Sequence, residues 1–130
     1  MLKTKSVWSP KRSSDGLRIL VSRIRGRGLS GNAYHVWMAS LGPSERLLRR
    51  FQSGSLSWAA FSRAYRAELF MPAAIDSRNK NIKNHGQKFA LRLIQHLARV
   101  GDVTLLCHCK DDQEHCHRHI LRRLILADRV

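Results

Sequence analysis

Two short apolar runs, Leu17–Val21 and Val103–Cys107, constrain this chain more than any other feature. Each has strand length and branched side chains, and about eighty residues of helical and turn-forming pattern separate them. Strands joined through helices pack parallel, with right-handed crossovers and helices covering the sheet. The expected fold is α/β: a single small domain with a mainly parallel sheet of few strands flanked by helices. If the two strands are neighbours, the loops after Val21 and Cys107 open at one sheet edge. Open α/β sheets bind ligands there.

Between the strands the pattern is helical. Asn32 to Leu41 is expected as a short helix stopped by Gly42-Pro43, and Ser44 as the cap of a helix from Glu45 to Phe51. Trp58, Phe61, Tyr65 and Leu69 recur on one helical face behind Ser57 and read as core. Residues 71–87 read as a long loop or crossover. Phe89, Leu93 and Leu97, backed by Ala90 and Ile94, predict a further helix closed by Gly101. A last helix runs from His115 to Ala127 and buries Ile120, Leu121, Leu124 and Ile125.

With 130 residues the chain is expected to fold as one domain without disulfides. Residues 1–14, basic and Ser-rich, are expected as an arm ahead of a domain over 15–130. No apolar signal core follows the start and no run reaches membrane-span length, so a cytoplasmic setting with reduced thiols is expected. The net charge is +15, yet residues 101–130 carry five basic and five acidic groups. The field therefore comes from the rest of the chain, and it favours anionic ligands or nucleic acid. A solvated arginine-rich surface accounts for the same count.

Cys107 to His119 gathers all three cysteines and four of the seven histidines where strand gives way to helix. Three uses are open. As a thiol site, Cys116 in the first helical turn gains a thiolate from the helix dipole, with His117 and Arg118 beside it and Cys107 as its redox partner. These make Cys116 and His117 the catalytic candidates. As a metal site, Cys107 and Cys109 share a strand face while His115 and His119 share a helix face, and with Cys116 they supply zinc ligands. As an anion site, Arg23, Arg25 and Arg27 and the helix-start amides face Arg118 across one crevice. Each use has a plain structural counterpart. Cys107 fits a core position, Cys116 fits beneath a loop, and the arginines can meet solvent or Asp111, Asp112 and Glu114. His35, His85 and His96 have no partner visible in sequence.

Leu20-Val21-Ser22-Arg23, Arg27-Gly28-Leu29-Ser30, Trp37, Pro43-Ser44, Phe51 and Tyr65-Arg66-Ala67-Glu68-Leu69 together resemble the DUF488 family, in its small YeaO-like branch. Val103 to Cys107 with Cys116-His117-Arg118 resembles those members that keep a strand cysteine and a Cys-His-Arg triplet. The resemblance spans most of residues 15–126. It implies the fold and the place of the site, and no reaction. Many members carry an acid where this chain has Ser22, and Arg25-Gly26 replaces a Trp-Pro pair. Cys109, His115 and His119 lie outside the family triplet.

The expected function is a phosphate-type anion-binding crevice with a reactive cysteine at a helix N-terminus. Arg23, Arg27 and Arg118 would bind the anion, and whether the site is catalytic stays open. The alternatives are a basic nucleic-acid-binding module and a zinc-stabilised structural domain. No cofactor is expected; zinc, if held, would use Cys107, Cys109, His115, Cys116 and His119. The partners expected are an anionic small molecule or nucleic acid, and no membrane.

Overall fold

The structure is a computed structural model describing residues 1–72, 74–76, 78–83 and 85–130, with backbone alone for 74–76 and 79–83. In chain order the elements are β1 (Leu2–Ser6), β2 (Leu17–Leu20), β3 (Val36–Trp37), α1 (Glu45–Gln52), α2 (Trp58–Leu69), β4 (Ala74–Asp76), β5 (Asn79–Lys83), α3 (Lys88–Val100), β6 (Val103–Cys107) and α4 (His117–Leu126). The main sheet has the order β1-β6-β2-β3, and every pairing in it is parallel. Among the described residues, no helix is long and apolar enough to cross a membrane.

The last strand in sequence is central in space. All five residues of β6 are buried, which is why that run is continuously apolar rather than alternating. Its one polar side chain, Thr104, donates to the Asp15 carbonyl at 2.7 Å. Val103 and Leu105 join Ile19 and Val21 in a core to which all four α-helices contribute, through Leu47, Phe61, Tyr65, Ile94 and Leu121 among others. Leu20 and Leu106 point to the opposite face and pack with Val7 and Leu29. Ser44 and Ser57 cap α1 and α2 by accepting from the amides of Leu47 and Ala60.

Three expectations need correction. Leu2–Ser6 is not arm but the edge strand β1, paired in register from Leu2↔Val103 to Ser6↔Cys107. Its Lys-Thr-Lys pattern hides strand character because the outer strand buries only its ends. Residues 32–41 form no α-helix: two 3₁₀ turns, Gly31–Ala33 and Ala39–Leu41, flank β3. On α3 the buried residues are Leu91 and Ile94, while Phe89 and Leu93 are exposed. Within 71–87, β4 and β5 pair antiparallel; residues 73, 77 and 84 lie outside the described residues.

One buried ion pair ties the edge to the centre. Arg18, on β2 and fully buried, donates to the Asp15 carboxylate at 2.5 Å and to the Ala33 carbonyl at 2.8 Å, and Lys5 of β1 reaches the same carboxylate at 3.0 Å. Burial pushes Asp15 up, but the Arg12 amide, Lys5 and Arg18 outweigh it and hold the carboxyl at about 2. Its folded value lies below the unfolded one. The resulting stability, about 2 kcal/mol, is present above pH ~4 and lost as pH falls through about 2. Urea unfolding should show Asp15→Asn destabilised by about 3 kcal/mol at neutral pH. That variant should also lose less stability than the wild type between pH ~5 and ~2.

Candidate functional site

β2 and β6 are neighbours, but their chains leave in opposite directions. After β2 the chain runs to β3; after β6 it runs to α4, which packs on β1. The parting opens a crevice of about 420 Å³ between Ser22, Arg23 and Ile24 on one side and Cys107, His108 and Cys109 on the other. Leu48 and Gln52 of α1 close one wall and His117 lies in it. His108 holds the two loops together: its Nε2 lies 3.2 Å from the Ile24 carbonyl oxygen. Gly26 (φ 88°) lies against the ring, leaving no room for a Cβ.

At the foot of the crevice the three cysteines meet. Their sulfurs all lie within 4.8 Å of one another, with Cys107 and Cys116 Sγ 2.9 Å apart. Cys107 ends β6, Cys109 follows it on the same side, and Cys116 is the N-cap residue of α4. Cys107 and Cys116 are buried; Cys109 is half-buried and faces the cavity. Hydrogen bonds from the other two thiols hold Cys109 down at about 2 against its burial, with help from the charge of Arg118. The same contact pushes Cys107 up to about 11, and its neighbours and burial push Cys116 up further. Of the three thiols, Cys109 is the one its neighbours favour as thiolate. Cys116, expected as the thiolate, sits deep beneath the loop.

Arg118 is fully buried. One terminal nitrogen donates to Cys107 Sγ at 2.8 Å and the Cys109 carbonyl at 3.0 Å; the other donates to the carbonyls of Lys110 at 2.7 Å and Asp111 at 3.3 Å. Its Nε has no hydrogen-bond partner among the described residues. Among these residues no carboxylate pairs with Arg118; the side chain its guanidinium bonds is the Cys107 thiol. The expected anion anchor is thus spent inside the fold. His117 is buried as well. Burial holds its ring down at about 4, so it is neutral at pH 7. Nε2 donates to the Val21 carbonyl at 2.7 Å, which leaves the Nδ1 lone pair 3.9 Å from Cys116 Sγ.

The remaining candidates separate. Arg23 is exposed on the crevice wall, with its guanidinium donating to the Gly42 carbonyl at 2.8 Å. Arg25 bonds Tyr34 and the Leu29 carbonyl and so braces its own loop, while Arg27 is exposed. His115 stacks on Trp58 at 4.7 Å, and His119 meets the Gln113 carbonyl at 3.0 Å and Thr4. Neither histidine joins the sulfurs, because His115 precedes α4 and His119 points toward β1. The wall residues Leu48 and Gln52, and Trp8 beside His108, went unremarked in the sequence, and Trp37 was read there only through the family resemblance. An exposed helix flank and isolated tryptophans carry no spacing signal.

The family profile described as "DUF488-N3a: Active DUF488-N3 subclade" matches residues 2–129. The uncharacterized protein YeaO of Escherichia coli (strain K12) is 32% identical over 95 residues, covering 72% of this chain and 80% of YeaO. No solved structure matches the chain significantly. With the profile spanning nearly the whole chain and a curated relative at this level, the protein belongs to the DUF488 family, in its YeaO-like branch.

Proposed function

We propose that the three cysteines hold a thiophilic divalent ion, zinc foremost, with its fourth position open to the crevice and available to a small anionic ligand. The observation that carries this is the sulfur triangle itself, within 4.8 Å at the foot of a 420 Å³ crevice. Tetrahedral zinc–thiolate bonds of ~2.3 Å set sulfurs about 3.8 Å apart. Binding requires Cys107 and Cys116 to part by about an ångström. Cys116 can yield, since its side chain makes no capping bond.

Charge favours the same reading. Three thiolates and a divalent cation leave one net negative charge, which the buried Arg118 beside Cys107 offsets. An N–H donor on a ligand sulfur is also a familiar way of orienting and tuning a thiolate site. Three protein ligands and one open position make a reactive zinc site rather than a closed structural one. Arg23, exposed on the crevice wall, supports an anion as the ligand of that position.

The test is elemental mass spectrometry on protein purified without added metal or chelator. About one zinc per chain is expected, retained in His115→Ala and His119→Ala and lost in Cys109→Ser. A chelator should lower the melting temperature of the wild type and leave that of Cys109→Ser unchanged. A chain that takes up no stoichiometric zinc even when supplied with it would sink the proposal.

A second reading rests on exposure: of the three sulfur residues Cys109 alone is not buried, and it borders the open cavity. In it Cys109 is a reactive thiol. Metal-free protein treated with an alkylating reagent should then modify Cys109 well before Cys107 and Cys116. Equal rates at all three would remove this reading.

A further inference from the structure

We propose that the mouth of the crevice binds single-stranded nucleic acid, with bases stacked on Trp8 and Trp37 and phosphates on Arg23 and Arg27. This goes beyond the metal reading and does not depend on what the cysteines hold.

Two of the three tryptophans stand open to solvent, Trp8 53% and Trp37 41% exposed, and each contacts a residue of the crevice wall. Neither hangs free. The Trp8 ring lies 5.8 Å from that of His108, and the Trp37 indole N–H donates to the Ser22 carbonyl at 2.8 Å. His108 and Ser22 belong to opposite walls. Trp8 follows β1 and Trp37 ends β3, the two outer strands, so the indoles stand three strand spacings apart, on the order of 14 Å. Exposed indoles held in fixed orientations are aromatic shelves, and any base can stack on them.

The charge between the shelves selects the partner. Between Asp15 and Glu45 the chain has no acidic residue, and this segment supplies Arg23, Arg25, Arg27 and Trp37. Arg27 is exposed and has no hydrogen bond or ion pair among the described residues. Of the nearby acids, Glu45 is paired with Arg49 at 3.0 Å, and Asp111 accepts from the Ser6 amide and the Ser9 hydroxyl. Asp112 and Glu114 stay exposed on the loop after β6 and repel a phosphate chain there. The phosphates are therefore placed on the β2–β3 side, on Arg23 and Arg27, while a base reaches across β6 to Trp8. A protein partner would require a continuous apolar face; here two exposed rings are accompanied by exposed guanidinium groups, the residue types that hold unpaired bases and their phosphates.

Tryptophan fluorescence tests this directly, since Trp58 is packed on His115 and Trp8 and Trp37 are exposed. An oligothymidylate of about ten nucleotides should quench the wild type and bind more tightly than a duplex of equal length. Trp8→Ala and Trp37→Ala should each weaken binding roughly tenfold, and Trp37→Phe should restore most of the loss. Arg27→Ala should lower the slope of log affinity against log salt by about 0.7. Arg99→Ala, on α3 and lining a depression with Met1 at the other end of the sheet, should change little. Thermal melts establish that each variant is folded. Folded tryptophan variants that bind like the wild type, or an Arg99→Ala loss equal to that of Arg27→Ala, would overturn the proposal in favour of a diffuse basic surface.

Discussion

The site depends on one interior cation. Arg118 lies without solvent and without a carboxylate, and its fork is shared among a sulfur and three carbonyl oxygens. A guanidinium in such a place is tolerated only where its donors meet acceptors and its charge meets an anion. The three carbonyls belong to consecutive residues, 109 to 111, so satisfying them wraps the loop after β6 around the start of α4. The wrapped loop brings Cys109 back over Cys107 while α4 delivers Cys116. The sulfur triangle is thus a consequence of where the guanidinium is, held by the same wrapped loop that satisfies the fork.

The sheet explains why this happens at an open edge. Because β6 enters between β1 and β2, its neighbours are already in place on both sides, and it must be apolar on both faces. Its first polar residues after Cys107 can emerge only beyond the end of the strand, where the chains after β2 and β6 part. The Asp111 carboxylate then binds the Ser6 amide at 2.6 Å and pins the same loop to the edge strand. Packing forces chemistry-bearing side chains toward the crevice.

How much of this could be read from sequence follows from which interactions are local. Ser44 and Ser57 cap the helices expected because an N-cap is decided by residues three apart. The parallel direction of β2 and β6 and the position of Cys107 at a strand end followed from two apolar runs joined through helices, while their adjacency was left as a condition. Leu2–Ser6 was illegible because an edge strand needs little burial, and its Lys-Thr-Lys core mimics a solvated arm. Phe89 and Leu93 read as a core face because their spacing is correct. Ile94, expected behind that face, is buried as read, and Leu91 took the rest of the place through contacts with distant elements, which no local period encodes. At the site, the gathering of cysteines was visible, but the division of labour among them was not. Burial decides that Cys109 is the accessible sulfur, that His115 stacks on Trp58, and that Arg118 turns inward.

That inward turn separates two electrostatic tasks which look alike in composition. A net charge of +15 suggests one basic surface, yet the arginine nearest the sulfurs contributes nothing to it. Arg118 acts at hydrogen-bond range in a dry interior, where salt screens little. Arg23 and Arg27 act at the rim, where screening is strong and selectivity must come from the rings beside them. Lysine could not take the interior role. A single ammonium has three donors radiating from one atom, whereas the planar fork reaches Cys107, Cys109, Lys110 and Asp111 at once from two nitrogens. The interior position demands that shape; the rim positions demand only charge near an aromatic face.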